Sequence, residues 1–302
     1  MNIKPYLQLV RLPNLFTAAA DSLAGWLLVT GSLDEPARWV PLVLASVAIY
    51  AAGIVLNDVF DFEIDLRERP GRPLPSGKVS RRLAAWFGAV ALLAGPGLAA
   101  LSGSMSSLFV ASILAACVLG YDAGLKRTVL GPEAMGTCRG LNLLLGMSQA
   151  PDLGGPIGWL AAGSLALFVV GVTWISRSEV ESGKTRGLLA GLTLQNLAFL
   201  GLVVAMLRPE RFPGPEVYRS PTAPAFGGLV LLAVGFLVNQ AGLRAYREPV
   251  PSTFQRAVKT GVLSLVWLDV ALVACVRGPG PALAVAALWV PAFLLGKWLY
   301  ST

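Results

Sequence analysis

The stretch 57–82, NDVFDFEIDLRERPGRPLPSGKVSRR, comes directly after an apolar run from Trp39 to Leu56. A run of that length nearly suffices to cross a bilayer as a helix, so the acids and bases after it emerge at a membrane surface. Asp58, Asp61 and Asp65 recur at i, i+3 and i+7, which lays three carboxylates along one face if the helix continues. Acids so close repel one another unless a cation lies between them. With Asn57 beside them the donors are all oxygen. That suits a hard divalent ion, Mg²⁺ above all, which usually keeps waters and shares its shell with substrate phosphates. Arg67, Arg69, Arg72, Lys78, Arg81 and Arg82 follow, the residue types that hold phosphate oxygens. Taken singly, these bases are no more than the ordinary positive-inside signal. The aspartate spacing is not explained that way, and the whole stretch points to chemistry on a lipid diphosphate.

N57-D58-x-x-D61-x-x-x-D65, followed by E68-R-P-G-R-P-L-P-S-G-K-V-S80, closely resembles the first aspartate-rich motif of the UbiA superfamily of intramembrane prenyltransferases. The resemblance implies a bundle of mostly nine membrane helices, and transfer of an isoprenyl group from its diphosphate with Mg²⁺ as cofactor. It joins the metal motif to the R-P-L-P-S-G run, which makes it specific.

Composition agrees with a membrane class. Of 302 residues 55% are hydrophobic and 14% charged, with a mean hydropathy of +0.66; soluble domains carry about 25% charged residues. The expected fold is an all-α membrane protein, a bundle of nine to ten transmembrane helices forming a single polytopic domain over 1–302. Candidate spans of roughly 20 residues are 12–31, 39–58, 83–102, 106–123, 132–150, 156–177, 187–207, 224–245, 253–276 and 281–299. The N-terminus runs into the first of these without a secretory cleavage site and is read as retained. With that end inside, 18 of the 24 Lys and Arg fall in cytoplasmic segments, which places the aspartate motif on the cytoplasmic side of the cell inner membrane. The net charge of +7 is then a matter of loops facing anionic headgroups, not of nucleic acid. Cys117, Cys138 and Cys275 lie in apolar runs without metal-binding spacing. There is no histidine, which excludes His-based metal sites and Ser-His triads.

Two further segments extend the resemblance. The fourth span ends Y121-D-A-G-L-K126-R127, where family members place a Tyr and a Lys-Arg pair near the diphosphate. Here the spacing from Tyr to Lys is five where the family has four. The resemblance makes Lys126 and Arg127 phosphate ligands and brings Tyr121 and Arg72 to the substrate. The sixth span ends W174-I-S-R177-S-E179-V-E181-S-G183-K184, at the place of the family's second aspartate motif, yet it holds no aspartate. Glu179 and Glu181 are the candidate ligands there, although at i and i+2 they do not share a helix face; Arg177 stands ready to pair with one of them or with substrate. The implied metal set is Asn57, Asp58, Asp61, Asp65, Glu179 and Glu181. The implied catalytic set is Asp58, Asp61, Asp65, Lys126 and Glu181, with Asp122 as a second candidate for the acceptor's proton. Trp174, Phe60 and Tyr50 are candidate stabilisers of an allyl cation, though core packing explains each equally well. These two segments look most like the UbiA-like members encoded in Ebo gene clusters, which implies a cyclitol-like acceptor and co-encoded enzymes as partners; the wider family implies an aromatic one.

Polar residues at membrane depth must face the bundle interior or a partner. Asp21, Arg139 and Asp269 are of this kind, and Asp21 and Arg139 are candidates to pair. Asn14 and Asn142 are candidates to line the cavity, and Gln195 and Asn239 to bond between helices. Beside the enzyme reading stand a non-catalytic isoprenoid-lipid binder or carrier that retains only the first motif and, last, an ion-coupled transporter. A transporter would place its acids at mid-membrane, and here they cluster at the edge.

Overall fold

A computed structural model describes residues 3–178, 185–214 and 222–300. Among them the chain is helical almost throughout: α1 Lys4–Leu9, α2 Leu12–Thr30, α3 Pro36–Phe60, α4 Phe62–Glu68, α5 Arg81–Ala100, α6 Met105–Ala123, α7 Gly131–Met147, α8 Gly155–Ser178, α9 Thr185–Met206, α10 Thr222–Arg247, α11 Pro251–Arg277, α12 Pro279–Ala287 and α13 Trp289–Tyr300. Nine helical stretches among the described residues are long and apolar enough to cross a membrane, with α12 and α13 together forming the last. The protein is an integral, multi-pass membrane bundle, as expected.

The fifth of the ten expected spans, 132–150, corrects to the 17-residue helix α7. At 1.5 Å per residue it reaches roughly 26 Å, short of a full crossing. It carries Arg139 and Asn142, and it survives at membrane depth because α2, α6 and α8 enclose it.

Helices do not associate in lipid by burying apolar surface, since lipid tails are equally apolar; close packing and polar contacts hold them. The α2–α7 crossing shows this. A Cβ at Gly25 would collide with the Leu143 carbonyl, and one at Gly146 with the Ser22 carbonyl. The two backbones therefore touch, which sets Asp21 beside Arg139. The bundle is layered around α2, 83% of whose span is buried, against 17% for the stretch 279–299. Asn239 bonds across to Asn196 in both directions, at 3.0 and 3.1 Å, as an interhelical role requires. Gln195 is buried but has no hydrogen-bond partner among the described residues.

The loop after α4 is ordered by its own apolar residues. Leu74 and Val79 are buried with Leu9, Val55 and Ala84. Ser80 then caps α5 by accepting from the Leu83 amide at 3.2 Å. Anchored at Leu74 and Val79, the loop folds back over the end of α3 and delivers Arg72 to the aspartates.

Candidate active site

The helix carrying the aspartates does not continue. At Asp61 the backbone leaves helical values (φ −89°, ψ 9°), α3 stops and α4 begins. The three carboxylates are therefore not one continuous stripe, which corrects the expectation from spacing. Asp58 and Asp65 both reach Arg72 Nη1, at 3.3 and 2.6 Å, and Asp58 also accepts from Arg11 Nη2 at 3.1 Å. Asp61 faces another way and accepts from Lys126 Nζ at 2.7 Å and Arg127 Nη2 at 3.1 Å. These two cations come from the turn after α6 and hold the Asp61 carboxylate apart from the Arg72 pair.

Arg11 belongs to no motif in the sequence. It lies between α1 and α2 in the left-handed region (φ 46°, ψ 54°), a conformation that costs a non-glycine residue of order 1–3 kcal/mol. The bend turns its guanidinium toward Asp58 and the cavity. Backbone conformation of this kind leaves no mark in composition or spacing.

Two connecting cavities, of about 380 and 270 Å³, open inward from the motif, and Arg11, Tyr50, Val118, Tyr121, Met135 and Cys138 line both. The larger runs between aliphatic side chains of α3, α6, α8 and α11. It also meets Asn14, Ser46, Arg139 and Asn142. The smaller ends at Asn57 and Asp122. An apolar chamber with polar groups at selected places suits an isoprenoid with a small polar partner. Asn14, Tyr121 and Asn142 thus stand where the sequence put them. Of the candidate aromatics Tyr50 lines the chamber, whereas Phe60 is exposed on the outer surface.

Arg177 makes contacts that its sequence neighbours did not suggest. Its Nη2 donates to the carbonyls of Lys126 and Thr128 at 2.7 and 2.8 Å, so it clasps the turn carrying the two phosphate-ligand candidates. Glu179 and Glu181 lie outside the described residues.

Deeper in the bundle, Asp21 meets Arg139 Nε at 2.6 Å, and Asn142 Nδ2 donates to Asp21 at 3.0 Å. Arg139 also donates to the hydroxyl and carbonyl of Thr17. The expected pair forms, and Asp269 of α11 adjoins it.

Among the described residues no three acids form a ready metal cluster. The donor set nevertheless fits a hard cation. Carboxylate oxygens of Asp58 and Asp65 converge on a single guanidinium nitrogen of Arg72, so a positive charge already stands between them. Asn57 adds an amide oxygen, and no sulfur or nitrogen ligand competes.

Residues 18–253 match the UbiA prenyltransferase family. The chain belongs to that family. A digeranylgeranylglyceryl phosphate synthase of Methanoculleus marisnigri is 34% identical over 48% of this chain and 52% of the relative. The chain thus spans about half the length of that curated relative. The solved structure of a digeranylgeranylglyceryl phosphate synthase in membranes superposes with a TM-score of 0.61 at 23% identity, covering 91% of this family member and 99% of that chain. A UbiA homolog from Archaeoglobus fulgidus, bound to GPP and Mg²⁺, superposes with a TM-score of 0.54 at 14% identity over 89% and 99%. Both likenesses concern the fold.

Proposed function

We propose that this protein transfers an isoprenyl group from a prenyl diphosphate to a small acceptor, with Mg²⁺, at the cytoplasmic edge of the cell inner membrane. One observation carries the reading: an apolar chamber ends beside carboxylates whose partners are the very cations a diphosphate would engage. Asn57, Asp58, Asp61 and Asp65 would hold the metal, and Glu179 and Glu181 complete the set by the sequence reading. When bound, Mg²⁺ neutralises charge on the diphosphate leaving group.

Arg72, Lys126 and Arg127 exchange their carboxylate partners for phosphate oxygens and stabilise charge as it develops there. The C1–O bond breaks, its electron pair leaves with the diphosphate, and C1 gains allyl-cation character. Tyr50 and Tyr121, which line the chamber, would stabilise that cation through their rings. The acceptor's nucleophilic atom then bonds C1 and gives up its proton, for which Glu181 is the assigned acceptor. Arg177 acts through Lys126, by holding its turn in place.

The Ebo-type resemblance favours a cyclitol-like acceptor with co-encoded partner enzymes, the wider family an aromatic one, and the relatives' name a glyceryl phosphate. The test is pyrophosphate release by purified protein in lipid, supplied with farnesyl or geranylgeranyl diphosphate, Mg²⁺ and acceptors of all three kinds. Release that requires Mg²⁺ and falls at least about 100-fold in Asp61→Ala is the expected result. Binding of the diphosphates without turnover across the whole panel would assign a non-catalytic isoprenoid-lipid binder instead. Absence of binding would remove both readings.

A further inference from the structure

A side-chain amide can serve a hard cation only through its oxygen, because its NH₂ group donates and does not accept. Which end of the Asn57 amide faces the motif therefore matters, and a neighbour decides it. Asp122 on α6 accepts from Asn57 Nδ2 at 2.8 Å through Oδ1. A carboxylate only accepts, so it fixes the nitrogen toward α6 and turns the Asn57 oxygen away from it.

Asp122 stands at the end of the smaller cavity, but its carboxylate is turned into the α3–α6 contact. It is 3% exposed, and Oδ2 has neither a hydrogen-bond partner nor open surface. That oxygen lies toward Gly53, where a Cβ would stand 3.8 Å from it. The contact between α3 and α6 depends on Gly53, since a Cβ there would stand 2.7 Å from Val118 Cγ1. Gly53 and Asn57 are one turn apart on α3, and Val118 and Asp122 are one turn apart on α6. The bare glycine lets the helices close on Val118, and the next turn brings the amide and the carboxylate into contact.

We propose that Asp122 is a positioning residue that orients the Asn57 amide, so that its oxygen is presented to the metal. What the site needs at this position is a hydrogen-bond acceptor, not a negative charge. Second-layer partners of this kind are worth 10- to 100-fold in metal affinity. The inference rests on the reading of Asn57 as a metal ligand.

The experiment is Mn²⁺ binding, followed by electron paramagnetic resonance on full-length protein in lipid with farnesyl S-thiolodiphosphate, which does not ionise. Asp122→Ala should weaken Mn²⁺ binding about 10- to 100-fold. Asp122→Asn should stay within about threefold of the natural protein, because its side-chain oxygen accepts the same hydrogen bond. The exchanged pair Asn57→Asp with Asp122→Asn should also bind, since the donor and acceptor have merely changed helices. That pair keeps the inference testable if Asp122→Ala does not fold. Equal losses in Asp122→Asn and Asp122→Ala would show that the charge itself is needed, and would overturn the proposal. Unchanged binding in Asp122→Ala would overturn it too, while leaving the metal reading intact. Absence of Mn²⁺ binding by the natural protein would remove the metal site and the inference together.

Discussion

At the edge of the bundle Asp61 meets Lys126 and Arg127, with side-chain exposures of 21, 10 and 59%; in its middle Asp21 meets Arg139, with exposures of 1 and 7%. The residue types and distances are nearly the same, and burial separates the two groups. At the edge, water and an incoming phosphate can replace either partner, so the exposed Asp61–Arg127 contact contributes about 1 kcal/mol or less and is free to exchange. In the middle, where the two side chains are nearly buried, water does not readily replace a lost partner, and an uncompensated buried charge costs several kcal/mol. One cluster is available for chemistry, and the other fixes α2 against α7.

The largest expected effect tests the inner cluster. Arg139→Ala should lower stability by about 3–5 kcal/mol, read as loss of folded protein and a lower unfolding temperature in lipid nanodiscs. Replacing the whole cluster, as Asp21→Leu, Arg139→Met and Asp269→Leu together, should recover much of that loss because no buried acid or base is stranded. A triple variant as unstable as the single one would mean that the ion pair, and not the stranded charge, sets the cost.

At the edge the balance should reverse. Arg127→Ala should change stability by less than about 1 kcal/mol yet weaken prenyl diphosphate binding about tenfold, measured by displacement of a fluorescent isoprenoid. An unchanged affinity would place Arg127 outside the site. The smallest effect concerns Arg177, which touches the Lys126 turn and not the chamber. Arg177→Ala should raise KM for the diphosphate about fivefold, as loss of a hydrogen-bonded clasp implies, with kcat nearly unchanged. A fall in kcat of similar size would instead put its guanidinium on the reacting group.

The sequence was most legible where one residue's role follows from its neighbours along the chain. The Asp58–Asp61–Asp65 spacing, the R-P-L-P-S-G run and the absence of histidine together pointed to an oxygen-ligand site at a membrane edge. Hydropathy located nine membrane-length helices among the described residues. Spacing failed at Asp61, because i, i+3, i+7 arithmetic assumes a straight helix, and the Lys126 that engages Asp61 comes from a turn 65 residues later. Arg11 left no mark in the sequence either, because its part depends on a left-handed backbone. The short helix α7 looked like a full span because composition registers apolar character better than it registers an end.

The sequence alone determined the solvent this chain folds in, the rough position of its membrane helices, and the oxygen donor set of its first motif. These follow from local quantities: transfer free energy per residue, helix periodicity and the donor atoms of each side chain. The tertiary structure decided which charges meet. It set Asp21 against Arg139 through the Gly25–Gly146 crossing, brought Arg72 between Asp58 and Asp65, and turned the Asn57 amide by way of Asp122. Those choices depend on how closely two backbones approach. Such distances are summed over many contacts between helices, and no single stretch of sequence encodes them.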